Sequence, residues 1–189
     1  TFNEFGESVS SAGDVNSDGY SDVIVGAAGY SSSTGRAYIF LGGTSMNNIV
    51  DVTMTGEADR FGESVSSAGD VNGDGYSDVI VGARNYSFST GRAHIYFGGA
   101  SMNNIADVTM TGETTNNDFG TYVSSAGDLN GDGYSDVIVG AAEYSSNTGR
   151  AYIFLGGASM NNTADVTMTG ETTFNEFGES VSSAGDVNS

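Results

Sequence analysis

The chain has 189 residues, with 24 acidic side chains against five arginines, no lysine, and a net charge of −19. That balance excludes DNA, RNA and anionic membranes as partners, because those surfaces require cationic side chains to displace counterions. Cysteine is absent, so disulfides and thiolate metal sites are excluded too, and with no proline the 29 glycines must make the tight turns.

From the N-terminus the elements read as short strands. "ESVSSAGD", starting at Glu7, is small and half polar. The acidic stretch "DVNSDGYSD" follows and runs directly into "DVIVGA" from Asp22, a β-branched run expected of a strand buried on both faces. A polar loop, "AGYSSSTG", leads to "GRAYIFLGG" from Gly35, with Ala37, Ile39 and Leu41 on one face and Tyr38 and Phe40 on the other. After "GGTSMNNI" comes "DVTMTG" from Asp51, which alternates Val52 and Met54 with Thr53 and Thr55 as a half-exposed strand does. No window keeps apolar residues at helical spacing. No apolar run approaches the roughly 20 residues that span a bilayer, and no apolar leader opens the sequence, so membrane insertion is not expected.

The pattern then repeats. Phe-Gly recurs at Phe5, Phe61, Phe119 and Phe177, and the last 17 residues reproduce residues 1–17 letter for letter. Four short antiparallel strands per unit is the arithmetic of an all-β propeller, in which each blade buries both faces against its neighbours. The division is blade 1 at 1–60, blade 2 at 61–118, blade 3 at 119–176, and the first strand of a further blade at 177–189. Three blades do not close a ring, since propellers typically need about four to eight. Further repeats, or other copies of the chain, are expected to complete it.

The acidic stretch carries the chemistry. Oxygen donors fall at Asp14, Asn16, Asp18 and Asp22, with the Tyr20 carbonyl between them. The second unit places them at Asp70, Asn72, Asp74, Tyr76 and Asp78, and the third at Asp128, Asn130, Asp132, Tyr134 and Asp136. Alternate spacing turns successive oxygens toward one centre, and Gly19, Gly75 and Gly133 permit the sharp curl, which is the logic of the first half of an EF-hand loop. The bidentate Glu of an EF-hand is replaced by Val25, Val81 or Val139, so each curl is a hairpin rather than a helix–loop–helix. An all-oxygen donor set without His or Cys fits Ca²⁺, one ion per complete repeat. Clustered carboxylates repel, so a metal-free curl is expected to be loose.

"FGESVSSAGDVNSDGYSDVIVGAA" resembles the FG-GAP repeat of integrin α-subunit β-propellers. Phe5-Gly6 stands for the FG, the curl for the calcium loop, and Gly26-Ala27-Ala28 for the GAP. The resemblance implies a seven-bladed ring, a calcium loop between the first two strands of each blade, and placement outside the cell or at its surface. It departs where the proline of GAP is replaced by Ala28, Arg84 or Ala142.

Catalysis is not expected, because the single histidine, His94, stands where Tyr38 and Tyr152 stand in the other units. The expected role is a calcium-binding, non-catalytic scaffold or adhesion module with a protein ligand. Two alternatives remain open. One is a sugar-binding propeller lectin using Tyr30, Tyr86 and Tyr144; the other is a repeat recently amplified or constructed from one unit, with self-association as its main property.

Overall fold

The repeat sequence folds, three times over, into one antiparallel four-stranded sheet; the computed structural model describes residues 3–57 and 59–185. Blade 1 comprises β1 (Phe5–Gly13), β2 (Asp22–Ala27), β3 (Arg36–Phe40) and β4 (Val52–Thr55), hydrogen-bonded in that order. Blade 2 comprises β5 (Val65–Gly69), β6 (Asp78–Ala83), β7 (Arg92–Tyr96) and β8 (Val108–Thr111). Blade 3 comprises β9 (Tyr122–Gly127), β10 (Asp136–Ala141), β11 (Arg150–Phe154) and β12 (Val166–Thr169). This is the all-β propeller-blade arrangement that the repeat length implied, and the first strands β1, β5 and β9 are the ones that approach one another.

The core lies in the seams. Ala12, Val15, Ile24, Ala37, Ile39 and Met54 of blade 1 pack against Phe61, Val65, Val79, Val81 and Tyr96 of blade 2. The corresponding residues of blades 2 and 3 form the second cluster. In the middle blade the DVIVGA strand, β6, is buried on both faces because it lies between the two seams, and it has no exposed residue. Each large side chain fully buried in a seam contributes about 1.5–3 kcal/mol, which is why the sheets are stable only in company.

The FG motif is the seam's fastener. Phe61, Phe119 and Phe177 form parallel bridges to Gly35, Gly91 and Gly149 of the preceding blade. Phe5, in the first of the three blades, instead pairs with Ala27 of its own β2. As a result β1 begins at Phe5, two residues before the expected Glu7, and Phe5 is 60% exposed where Phe61 and Phe119 are 1% exposed. The strand expected at 177–189 differs as well. Phe177 makes its bridge, and 178–185 form no ladder among the described residues. Residues 186–189 lie outside the described residues.

The loop "AGYSSSTG", polar in sequence, contains a four-residue helical turn, Tyr30–Ser33. Its backbone is left-handed, with φ of 48°, 59° and 68° at Ser31, Ser32 and Ser33, and the same turn recurs at Tyr86–Ser89 and Tyr144–Asn147. Such φ values cost energy in any residue with a Cβ, so the preference for left-handed backbone is not written in the serines.

His94 is a seam residue. Its ring meets Phe61 at 5.6 Å and its Nδ1 lies 3.1 Å from the Thr109 hydroxyl. Burial, reinforced by the charge of Arg92, pushes the imidazole down to about 4 from its ordinary 6.5. The folded state therefore favours the neutral ring. The associated stability is complete above about pH 6.5 and is lost as pH falls toward 4, on the order of 2–3 kcal/mol by pH 4.5. His94→Tyr, which restores the residue of the other blades, is expected to remove that increment. Urea unfolding of both proteins at pH 7 and pH 4.5 checks it, since the carboxylates common to both cancel; equal acid losses would contradict the assignment.

Candidate functional site

Each acidic curl connects the first and second strands of its blade and is built by its own side chains. In the first, Asp14 accepts the amides of Asp18 (3.1 Å) and Gly19 (2.8 Å) through different oxygens. Asn16 accepts from the Asp18 amide and donates its side-chain NH₂ to the Asp18 carboxylate, which in turn accepts the Tyr20 amide at 2.9 Å. The second curl repeats this with Asp70, Asn72, Asp74 and Tyr76, and the third with Asp128, Asn130, Asp132 and Tyr134. The structure thus brings the first, third and fifth donors of each curl together. Mutual repulsion is only half of the electrostatics, because inward backbone amides oppose it. At Asp128 those amides, Gly133 foremost, hold the carboxyl below the usual carboxylate range.

The ninth donors behave differently. Asp22, Asp78 and Asp136 are at most 1% exposed. Asp22 accepts the Val15 amide at 2.7 Å through one oxygen and the Gly42 amide at 2.7 Å through the other. Asp78 does the same with Val71 and Gly98, and Asp136 with Leu129 and Gly156. Each therefore closes the base of its curl and ties it to the chain leaving the third strand, a structural duty that the ligand spacing did not announce. Burial pushes the Asp78 carboxyl up to about 7; the two amides oppose this, and the charges of Asp74 and Asp70 add to it.

The curls also join the blades. The Asp14 and Val15 carbonyls accept the amides of Ser77 (3.0 Å) and Gly99 (2.7 Å) from blade 2, and Asp70 and Val71 accept those of Ser135 and Gly157 from blade 3. One sequence difference shows in the backbone. Gly73 and Gly131 have φ of 78° and 75°, while Ser17, at the equivalent place in the first curl, holds 58° with a side chain.

As a donor set the curls suit a hard cation. A carboxylate offers about four acceptor positions, and the two or three amides bound by Asp14, Asp70 or Asp128 leave room on the solvent side. Among the described residues no three His, Cys, Asp or Glu side chains converge on a common point. This follows from the design of the curl, where Asn and a backbone carbonyl alternate with the acids and the ninth Asp is drawn toward the backbone.

The tyrosines proposed for sugar stacking already have a partner. The guanidinium groups of Arg36, Arg92 and Arg150 lie 3.8, 3.4 and 3.8 Å from the ring centres of Tyr30, Tyr86 and Tyr144. One face of each ring is thereby covered by a cation–π contact. Arg84, which stands where the GAP motif has proline, holds its guanidinium 2.8 Å from Glu63 and 3.5 Å from Asp118. It borders a cleft of about 410 Å³ whose other walls include Glu7, Glu143 and Glu179.

The FG-GAP repeat model matches residues 5–40, 61–96 and 119–154, one match per blade. The chain is 34% identical over 153 residues to integrin alpha-5 of Xenopus laevis, a match covering 72% of this chain and 14% of that protein. It is 35% identical over 136 residues to integrin alpha-6 of Gallus gallus, covering 68% of this chain and 12% of the relative. It is also 32% identical over 148 residues to phosphatidylinositol-glycan-specific phospholipase D of Bos taurus, covering 68% and 17%. The matches thus span less than a fifth of the length of each of these curated relatives.

Proposed function

The chain belongs to the FG-GAP repeat family, and on that premise we propose that it is a calcium-stabilised, non-catalytic propeller module that presents a surface for adhesion to a protein ligand outside the cell. The observation that carries the reading is the threefold curl: the same oxygen donors, on the same hydrogen-bond frame, in three blades. Asp14, Asn16, Asp18, the Tyr20 carbonyl and Asp22 would hold one ion. The corresponding sets at 70–78 and 128–136 would hold two more. Bound calcium supplies positive charge that neutralises the exposed acids. The curl residues themselves anchor the next blade, so what steadies a curl also steadies a seam. The non-catalytic part rests on His94, the only histidine, being engaged in a seam with Phe61 and Thr109. Extracellular placement rests on the integrin relatives.

Thermal unfolding with calcium and with EDTA tests the proposal. Sites with dissociation constants on the order of 10⁻⁴–10⁻³ M would together contribute about 1–4 kcal/mol at about 1 mM calcium. For a chain of this size that is a shift of about 3–15 °C in melting temperature. Magnesium at the same concentration is expected to restore little of it, because Mg²⁺ demands a stricter octahedron. A melting curve indifferent to EDTA would remove the calcium reading while leaving the propeller intact.

A further inference from the structure

Asn-Gly occurs at Asn72-Gly73 and at Asn130-Gly131, each time at the third and fourth positions of a curl. Around each pair the curl gathers reactive groups on one carboxamide. The Gly73 amide donates to Asp70 Oδ1 at 2.7 Å, and the Gly131 amide to Asp128 Oδ1 at 2.7 Å. The carboxamide oxygen of Asn72 accepts the Asp74 amide at 2.9 Å, and that of Asn130 accepts the Asp132 amide at 3.0 Å. Each NH₂ donates to the same aspartate's carboxylate, at 2.9 Å for Asp74 and 2.8 Å for Asp132. A side-chain oxygen bonded to the amide two residues on mimics a backbone turn, which turns Cγ toward the intervening glycine nitrogen. Glycine has no side chain to shield that nitrogen. The first curl lacks both features. Ser17 stands in place of glycine, and Asp14, which accepts the amides of Asp18 and Gly19, receives no hydrogen bond from Ser17 among the described residues.

We propose that Asn72 and Asn130 are sites of self-deamidation, each curl acting as a small intramolecular reaction centre. The glycine nitrogen attacks Cγ of the asparagine and forms the new C–N bond of a cyclic succinimide. The Asp70 or Asp128 carboxylate takes the nitrogen's proton as general base. The Asp74 or Asp132 amide stabilises the negative charge that develops on the carboxamide oxygen. The Cγ–Nδ2 bond then breaks, and Nδ2 leaves as ammonia with the proton relayed by the base. Water opens either C–N bond of the imide, giving aspartate or isoaspartate. One water is consumed and one ammonia released at each site, with no oxidation or reduction. Either product adds one negative charge to the chain's −19. It also replaces the NH₂ that held the Asp74 or Asp132 carboxylate with an oxygen that repels it, so the reaction opens the frame around the first and fifth donors. The chemistry needs no metal and stands apart from the calcium reading.

Incubation in EDTA, well below the melting temperature and in parallel in urea, followed by digestion and mass spectrometry of the three curl peptides, measures each rate. Asn72 and Asn130 are expected to convert roughly tenfold faster in the folded chain than in urea, a modest gain for a base and an oxyanion donor together. It is modest because a carboxyl held below its usual range, as at Asp128, is a weak base. Asn16 is expected to convert no faster folded than in urea. Ser17→Gly, which gives the first curl the residue of the other two, should raise Asn16 to their rate. Asp70→Asn keeps an acceptor for the Gly73 amide but removes the base. It should return Asn72 to its rate in urea, while Asn130 in the same chain is unchanged. Conversion at 72 and 130 no faster folded than in urea, an Asn16 that stays slow in Ser17→Gly, or an Asn72 indifferent to Asp70→Asn overturns the inference. Because every rate is measured without calcium, failure here is read separately from a melt that ignores EDTA.

Discussion

Alanine in place of Asp78 is expected to destabilise the protein by about 2–6 kcal/mol, and to do so in EDTA as well as in calcium. Asp78 has no exposed surface, and its two oxygens accept the amides of Val71 and Gly98, both at 2.8 Å. Removing the carboxylate leaves the buried Val71 donor and the half-buried Gly98 donor unpaired. A buried unsatisfied donor costs about 1–3 kcal/mol. Asparagine at this position is expected to recover part of the loss, since its carbonyl accepts one amide while its NH₂ faces the other donor. Asp74 is the contrast. It lies on the exposed part of the curl, so Asp74→Ala in EDTA should cost less than about 1 kcal/mol, while in calcium it should also forfeit its curl's share of metal stabilisation. Urea unfolding of the three proteins in both buffers separates the duties. Were Asp78→Ala to match the wild type in EDTA, the ninth aspartate would be a ligand and nothing more.

That contrast marks where the sequence stops informing. DVIVGA, with its unbroken β-branched run, is found as β2, β6 and β10 with the expected boundaries, because a strand between two seams has no solvent face to confuse the pattern. The curls were readable because 1-3-5-7-9 spacing constrains the backbone locally. The double role of Asp22, Asp78 and Asp136 was not, since Gly42, Gly98 and Gly156 stand twenty residues further on and nothing in the pattern links them. The Tyr30–Arg36 stack has the same origin. Tyrosine in a serine-rich loop looks available for a ligand until a left-handed turn folds it beneath the first residue of β3. Arg84 was visible only as a missing proline, and its carboxylate partners, Glu63 and Asp118, stand far from it along the chain on either side. Contacts between near neighbours in the chain can be inferred from the pattern, whereas those between residues far apart in a repeat or across a seam depend on how the strands and blades are stacked.

Gly82→Ala should disrupt the second seam by about 3 kcal/mol or more. Two kinds of glycine stand in these repeats. Gly131 has a φ of 75° with nothing near its absent Cβ, so alanine there meets only the backbone penalty of about 1–2 kcal/mol. Gly82 has no unusual φ; a Cβ there would fall inside the carbonyl oxygen of Gly120, the glycine of the next blade's FG. The clash has no flexible side chain to absorb it. Gly82 is itself fixed by its amide to Ser64 and by its carbonyl to the Gly62 amide, at 2.8 and 3.0 Å. Blade 3 must therefore lift, opening the cluster that holds Phe119, Val123 and Val139. Overpacking with side-chain relief costs about 1–3 kcal/mol, and backbone against backbone exceeds it. The physical meaning of the paired motifs follows: Gly82 of GA makes room for the Gly120 carbonyl of FG, and Gly120 in turn makes room for the Arg92 carbonyl. Gly140→Ala supplies the internal control, because its opposing Gly178 belongs to a segment without a ladder and can yield. Unfolding free energies should rank the losses as Gly82 first, then Gly140 and Gly131; equal losses at Gly82 and Gly140 would show that the seam is not held by this contact.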